Sequence, residues 1–206
     1  MSRSKWGLTL AGIGVFLLVS GQILIPDIGE RRVEERLTEG GGTADVTLGA
    51  VPAVRLLFGD GERFEVDASD LDLELGREDR VFDDLDGFSI VDVSIQNSHA
   101  GPFDLDSFQL ERDGEGPYRM TATGTTTPDE LVDYGVEGLS LPGGSIFDAA
   151  AELLGIDTTV TLPVDLDMQL TSDDGRIRVV SGDGDIGGIP TGPLAELLTS
   201  AIVVQL

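Results

Sequence analysis

No cysteine occurs anywhere in the chain, which excludes a disulfide framework, thiolate catalysis and cysteine-ligated zinc or iron–sulfur sites. Stability must come from packing, and 206 residues suffice to bury a sizeable single core. Lysine is almost as scarce: Lys5 is the only one, and every other basic residue is arginine. His99, the only histidine, sits in the turn-like stretch Asn97-Ser-His-Ala-Gly-Pro102 with no serine in a nucleophile-elbow context, so it reads as a loop histidine. Without a second imidazole, a thiol or a lysine in the domain, paired carboxylates are the one catalytic device left open. We therefore expect a protein that is not an enzyme and that needs no cofactor.

Positive charge is lacking overall. A formal charge of -25 and a pI near 4.1 exclude nucleic acid as a partner, because affinity there comes from clustered Lys and Arg that neutralise phosphates. The same charge repels anionic lipid surfaces at long range, so membrane work must rely on an anchor or on apolar contacts. Scarce lysine with surplus carboxylate suits a salt-adapted surface, where ionic strength screens self-repulsion; biased genomic composition accounts for it equally well.

One long stretch has no charge at all. Trp6 to Ile25 reads WGLTLAGIGVFLLVSGQILI, and about 20 residues at about 1.5 Å each span the roughly 30 Å hydrocarbon core of a bilayer. Pro26 ends it, and Arg3 and Lys5 form the positive flank shared by signal peptides and signal anchors. Val19-Ser-Gly21 is a poor cleavage geometry, which favours an uncleaved anchor over residues 1–26. Arg31, Arg32 and Arg36 follow closely, so charge alone does not orient it. A signal-like start before a long domain places that domain on the extracytoplasmic side of the cell membrane, with a cytoplasm-facing domain as the alternative.

Asp27 to Thr38 reads as a short helix with Glu30, Glu34 and Glu35 among arginines, a solvated or hinge-like stalk. Gly40, Gly41 and Gly42 then form a flexible linker, so residues 27–42 separate the anchor from a domain at 43–206. In that domain the hydrophobic period is two, the signature of strands with one buried face. Val160, Leu162, Val164, Leu166, Met168 and Leu170 alternate without fault, and Pro163 on the polar side suggests an edge strand or bulge. Two further strands change phase, at Phe88 and Ile90 before Val91, Val93 and Ile95, and at Phe103 and Leu105 before Phe108 and Leu110. Such slips imply bulges, and bulges coil a sheet. Other strands are expected at 46–48, 64–68, 71–75, 118–123 and 177–180, with an acidic, insertion-like loop at 76–87.

Helix signals occur at Thr127-Pro-Asp-Glu130, at Ser145 to Leu154, and after Pro193, where Leu194, Leu197, Leu198, Ala201 and Ile202 share one side. Ser181-Gly-Asp-Gly-Asp-Ile-Gly-Gly188 has oxygen ligands that calcium could use, but it lacks the closing EF-hand glutamate and is a single copy; a hairpin or connecting loop is the simpler reading, and no metal is expected. The Asp-Leu-Asp triplets at 70–72, 104–106 and 165–167 read as outward carboxylates on half-buried strands. The fold class is thus α+β: a curved antiparallel sheet packed with a few helices, preceded by one N-terminal transmembrane helix.

Three stretches together carry a family resemblance. They are Val46 to Leu73 (VTLGAVPAVRLLFGDGERFEVDASDLDL), Tyr118 to Gly135 with its strand leading into TTTPDELVDYG, and the terminal IPTGPLAELLTSAIVVQL. In this order, behind a hydrophobic N-terminus, they resemble the LmeA-like phospholipid-binding family of bacterial cell-envelope proteins. The resemblance implies an extracytoplasmic protein whose curled sheet and helix cradle a phospholipid; it transfers no individual site residue. Apolar positions expected to line such a groove are Leu57, Phe58, Phe88, Ile90, Leu194 and Leu198. The alternative is an anchored acidic scaffold of the envelope that holds no lipid and meets a basic partner.

Overall fold

The computed structural model describes residues 22, 24–73, 82–130, 160–186, 189–190, 199 and 202–203. A helix, α1, covers residues 24–37 and precedes the strands β1 (Thr43–Gly49), β2 (Gly61–Ser69), β3 (Asp72–Leu73), β4 (Phe88–Ala100), β5 (Phe103–Asp113), β6 (Tyr118–Thr126), β7 (Leu162–Asp173), β8 (Arg176–Ile186) and β9 (Ile189–Pro190). A short 3-10 helix, Ala53–Phe58, joins β1 to β2, and the four-residue helix α2, Asp83–Asp86, precedes β4. All nine strands join one curved sheet in the order β1-β2-β4-β5-β6-β7-β8-β9, with β3 beside β4. The expected α+β sheet is therefore present, with one difference: β2 and β3 both run parallel to β4, while the other pairs are antiparallel.

The alternation sorts every long strand. Val46, Phe64, Val66, Val91, Val93, Ile95, Phe108, Leu110, Met120, Leu166, Met168 and Leu170 are buried on the inner face, and the intervening residues are polar and mostly exposed. Leu71, Leu105 and Leu166, the centres of the Asp-Leu-Asp triplets, are all buried. The phase change in β5 is a bulge against β6: Leu105 pairs with Gly124 and Ser107 with Thr123, leaving Asp106 as the extra residue. In β4 the pairing with β2 and β5 runs unbroken through Ile90 and Val91, so the slip expected there is absent and half-buried Ile90 keeps the phase of Asp92. At Asp70, with φ of 56°, the line of β2 breaks before β3 resumes along β4. Buried Ser98 bridges the break, accepting from Leu71 N at 3.0 Å and donating to Gln96 O at 2.8 Å, so no buried polar atom there is orphaned.

Several local expectations need correction. β7 is not an edge strand; β6 and β8 flank it. Pro163 pairs with Thr125 of β6 near the start of β7, where a proline is best tolerated in a strand. His99 lies in β4, where its Nδ1 is 2.8 Å from Asp104 across the β4–β5 pair. Ser181 to Ile186 belongs to β8, which pairs antiparallel with β9 through Asp185–Pro190 and Ile186–Ile189, so this stretch is one arm of a hairpin, as the simpler reading had it. The 76–87 loop ends in helix α2, whose Leu85, with neighbouring Phe82, is buried. At the β6 exit, Thr127 Oγ1 accepts from Glu130 N at 3.2 Å while Thr127 N donates to Glu130 Oε2 at 2.9 Å, a capping box at the expected place. The helix expected at 145–154 lies outside the described residues.

Helix α1 is not a solvated stalk. β1 is the open edge of the sheet, and α1 runs antiparallel along it: Glu34 Oε1 accepts from Val46 N at 3.4 Å and Glu30 Oε1 from Leu48 N at 2.9 Å. Four helical residues advance about 6 Å and two strand residues about 6.7 Å, so carboxylates one turn apart meet alternate edge amides. The edge is thereby covered, and Leu37 and Val33 join the core. The glycines after α1 form a tight turn in place of a linker. Gly42 has φ of 85°, and a Cβ there would stand 2.5 Å from the carbonyl oxygens of Ser69 and Asp70, so only glycine fits.

Among the described residues no helix is long and apolar enough to cross a membrane; most of the 6–25 run lies outside them.

Candidate functional site

Of the residues expected to line a lipid groove, the four described ones, Leu57, Phe58, Phe88 and Ile90, differ in exposure and do not share one surface. Phe88 is buried at the start of β4, edge-on to Phe64 with ring centroids 5.3 Å apart. Ile90 stands in register with exposed Arg63 and with Asp113, in the outward phase of Asp92. Leu57 and Phe58 are 66% and 82% exposed. Leu194 and Leu198 lie outside the described residues, though Thr199, Ile202 and Val203 of the same segment are buried. The inner face of the sheet is nonetheless apolar from β1 to β7.

A polar assembly that sequence reasoning missed lies where α2, β4, β5, β6 and β7 meet. The Arg112 side chain, on β5, is only 8% exposed and pairs with Asp86 Oδ1 at 3.2 Å. Its guanidinium also donates to the carbonyl oxygens of Leu85 (2.9 Å), Asp86 (3.4 Å) and Phe88. The Leu85 and Asp86 carbonyls lie at the end of a helix that carries Asp83, Asp84 and Asp86 and no basic residue in its last turn, and Phe88 opens β4, so Arg112 supplies the positive charge that this helix end lacks. Tyr118, at the start of β6, stacks on Phe82 with centroids 4.3 Å apart. On its ring sits the Arg112 guanidinium carbon, 4.4 Å from the centroid. The Tyr118 hydroxyl donates to Asp86 Oδ1 at 3.0 Å, and Ser172 Oγ of β7 donates to Asp86 Oδ2. Among the described residues the Nε of Arg112 lacks a hydrogen-bond partner.

Burial raises the Tyr118 pKa well above the ordinary phenol value; Asp86 adds to the rise and Arg112 opposes it. The phenol is thus a permanent donor near neutral pH. Both Asp86 oxygens are engaged, and the guanidinium is committed to several acceptors, so the assembly suits a latch better than acid–base chemistry. An adjoining cavity of about 400 Å³ is lined by Ser89, Arg112, Gly114, Glu115, Tyr118 and Ser172 among others. A sequence signal did exist: Arg112 and Tyr118, one of two tyrosines, flank the Asp113-Gly-Glu-Gly-Pro117 turn.

The outer face is the opposite of the inner. Glu65, Asp92 and Glu111 stand in register across β2, β4 and β5, and Asp45 faces Asp67 and Asp167 faces Asp183. Arg119 pairs with Asp167 at 2.8 Å. Ser107 and Thr123, and Ser181 and Gln169, join by side-chain hydrogen bonds. Among the described residues no group of three or more His, Asp or Glu is placed to hold a metal ion.

No family model, curated protein or solved structure matches this chain.

Proposed function

We propose that this chain is a membrane-anchored, extracytoplasmic lipid-binding protein that holds a phospholipid acyl chain against the apolar face of its sheet, as part of envelope lipid or glycolipid maintenance. The observation that carries the reading is the one-sidedness of the sheet: apolar residues from β1 to β7 share one face, and helices border it. A binding role of this kind needs no reaction, in keeping with an assembly in which Arg112 and Tyr118 both hold Asp86. The resemblance to LmeA-like proteins and the apolar run at 6–25 point the same way.

The test is photo-crosslinking of the full-length chain in vesicles that contain a phospholipid with a photoreactive acyl tip. Adducts on inner-face peptides around Phe88, Val93 or Met120 are expected. Adducts confined to residues 6–25 mean the chain meets lipid only as an anchor, and the reading fails.

A second reading, an acidic envelope scaffold, is favoured by the outer face, where Glu65, Asp92 and Glu111 line up beside Ser94, Gln109 and Thr121. It expects binding of a polycationic partner that weakens steeply with salt, and no inner-face adducts.

A further inference from the structure

We propose that the segment Val51–Phe58 is a membrane wedge, a second bilayer contact beside the N-terminal apolar run; this rests on the anchored reading above. Val51, Val54, Leu57 and Phe58 are exposed by 66%, 43%, 66% and 82%. Leucine and phenylalanine so bare, next to one another on a short loop, form an apolar projection that water penalises.

Three observations identify a lipid surface as its occupant. The first is position. Ala53 N donates to the side-chain oxygen of Gln22, and Gln22 belongs to the uncharged run Trp6 to Ile25, so the loop stands where a bilayer-length segment meets the domain. Leu24 and Ile28, one helical turn apart on α1, are also exposed, by 57% and 63%.

The second is charge. In a chain with 38 Asp and Glu, none occurs from Val46 to Gly59, so the acidic domain's repulsion from anionic headgroups is weakest here. The one cation, Arg55, pairs with Asp60 at 3.0 Å and Glu62 at 3.6 Å behind the tip. Its stem can follow the apolar side while its head stays at headgroup level.

The third is support. A Cβ on Gly87 would fall 1.7 Å from Gly59 O, and Gly61 N donates to Gly87 O at 3.0 Å. The base of the loop therefore rests on the α2–β4 junction, whose Phe88 carbonyl is held by Arg112. A projection on a fixed base can insert without the domain reorganising.

The absence of cysteine allows a clean test. Full-length chain carrying Phe58→Cys, labelled with a polarity-sensitive fluorophore, is reconstituted in phosphatidylcholine–phosphatidylglycerol vesicles. Expected are blue-shifted emission and quenching by lipids nitroxide-labelled near the headgroup that is several-fold stronger than quenching by aqueous iodide. Leu57→Cys should behave the same, and Gln109→Cys on the outer face should stay aqueous. An alkaline carbonate wash separates the two readings. Chain that stays on the membrane while labels at 57 and 58 are aqueous overturns the wedge and leaves the anchor intact; chain that washes off overturns the anchor and the wedge together.

Discussion

Replacing Arg112 by methionine should destabilise the domain by about 3 kcal/mol, most of it from acceptors left without a donor. The guanidinium meets a carboxylate oxygen of Asp86 and the carbonyls of Leu85, Asp86 and Phe88. Leu85 O keeps Gly87 N as a donor, so the Asp86 and Phe88 carbonyls are the ones stranded, at roughly 1–3 kcal/mol each. The side chain of Asp86 is 33% exposed and the adjoining cavity admits water, so the lower end of that range applies and the ion pair itself is discounted. Loss of the cation–π contact with Tyr118 adds about 1 kcal/mol. Methionine fills a similar volume, which keeps a cavity term small. Urea unfolding of the full-length chain in mild detergent, followed by far-UV circular dichroism, should show a lower midpoint with an unchanged slope. The corresponding fall in Tm is about 6–12 °C. Arg112→Lys keeps a charge but not the planar fork, and should recover about half the loss. An Arg112→Met midpoint within about 0.5 kcal/mol of the parent, the size of an ordinary surface substitution, would mean that the latch stabilises nothing.

Asp92 lies in register between Glu65 and Glu111 on the outer face; Asp92→Thr should raise stability by about 0.5–1 kcal/mol, with a gain that shrinks at high salt, and thermal melts at two ionic strengths would reveal the opposite trend. Tyr118 has a folded pKa above its unfolded value, so its contribution is complete below pH of about 10 and is lost as pH rises beyond it. At alkaline pH short of unfolding, the tyrosinate absorbance of the parent should match that of Tyr118→Phe, and a larger signal in the parent would show the phenol ionising in place. The pair Glu30→Ala and Glu34→Ala should speed amide exchange at Val46 and Leu48 and cost about 1 kcal/mol per lost acceptor; unchanged protection at both amides would show that α1 does not seal the β1 edge.

What could be read from the chain was what one strand or one cap encodes by itself. The alternation from Leu162 to Leu170 and the slip between Leu105 and Phe108 report which face is buried, and those faces and the β5 bulge are as read, while Val160, read into the same strand, precedes β7 and is 46% exposed. The Thr127–Glu130 cap is equally local. Pro163 misled because a proline near the start of a strand is compatible with neighbours on both sides, and which strands flank β7 no residue of β7 records. Glu30 and Glu34 misled because a carboxylate that accepts from a strand edge has the same spacing as one that pairs with arginine on a solvated helix. The triplet Leu56-Leu57-Phe58 reads as core by hydropathy, yet only Leu56 packs against the core. Arg112 and Tyr118 were passed over because their partners arrive from two other elements, Phe82 and Asp86 from α2 and its cap and Ser172 from β7.

The exposed Val51–Phe58 segment and the Arg112 latch share one end of the sheet. β1 and β5 end there, β2, β4 and β6 begin there, and β7 finishes there, which follows from the parallel β2–β4 pair and the antiparallel pairs around it. That end holds the exposed Val51–Phe58 segment, the Gln22 contact to Ala53 and the Arg112 latch. The opposite end holds the β4–β5 turn, where Thr126 Oγ1 donates to Pro102 O at 2.6 Å, and the capping box that opens the β6–β7 connection. Apolar side chains bare to water are tolerated where something other than water covers them, and a dense polar latch is retained where movement has to be prevented. An end that carries both is suited to bearing on a surface. A lipid that reached the inner face would then do so past a fixed frame, and the movement needed to admit it would have to come from elements outside that frame.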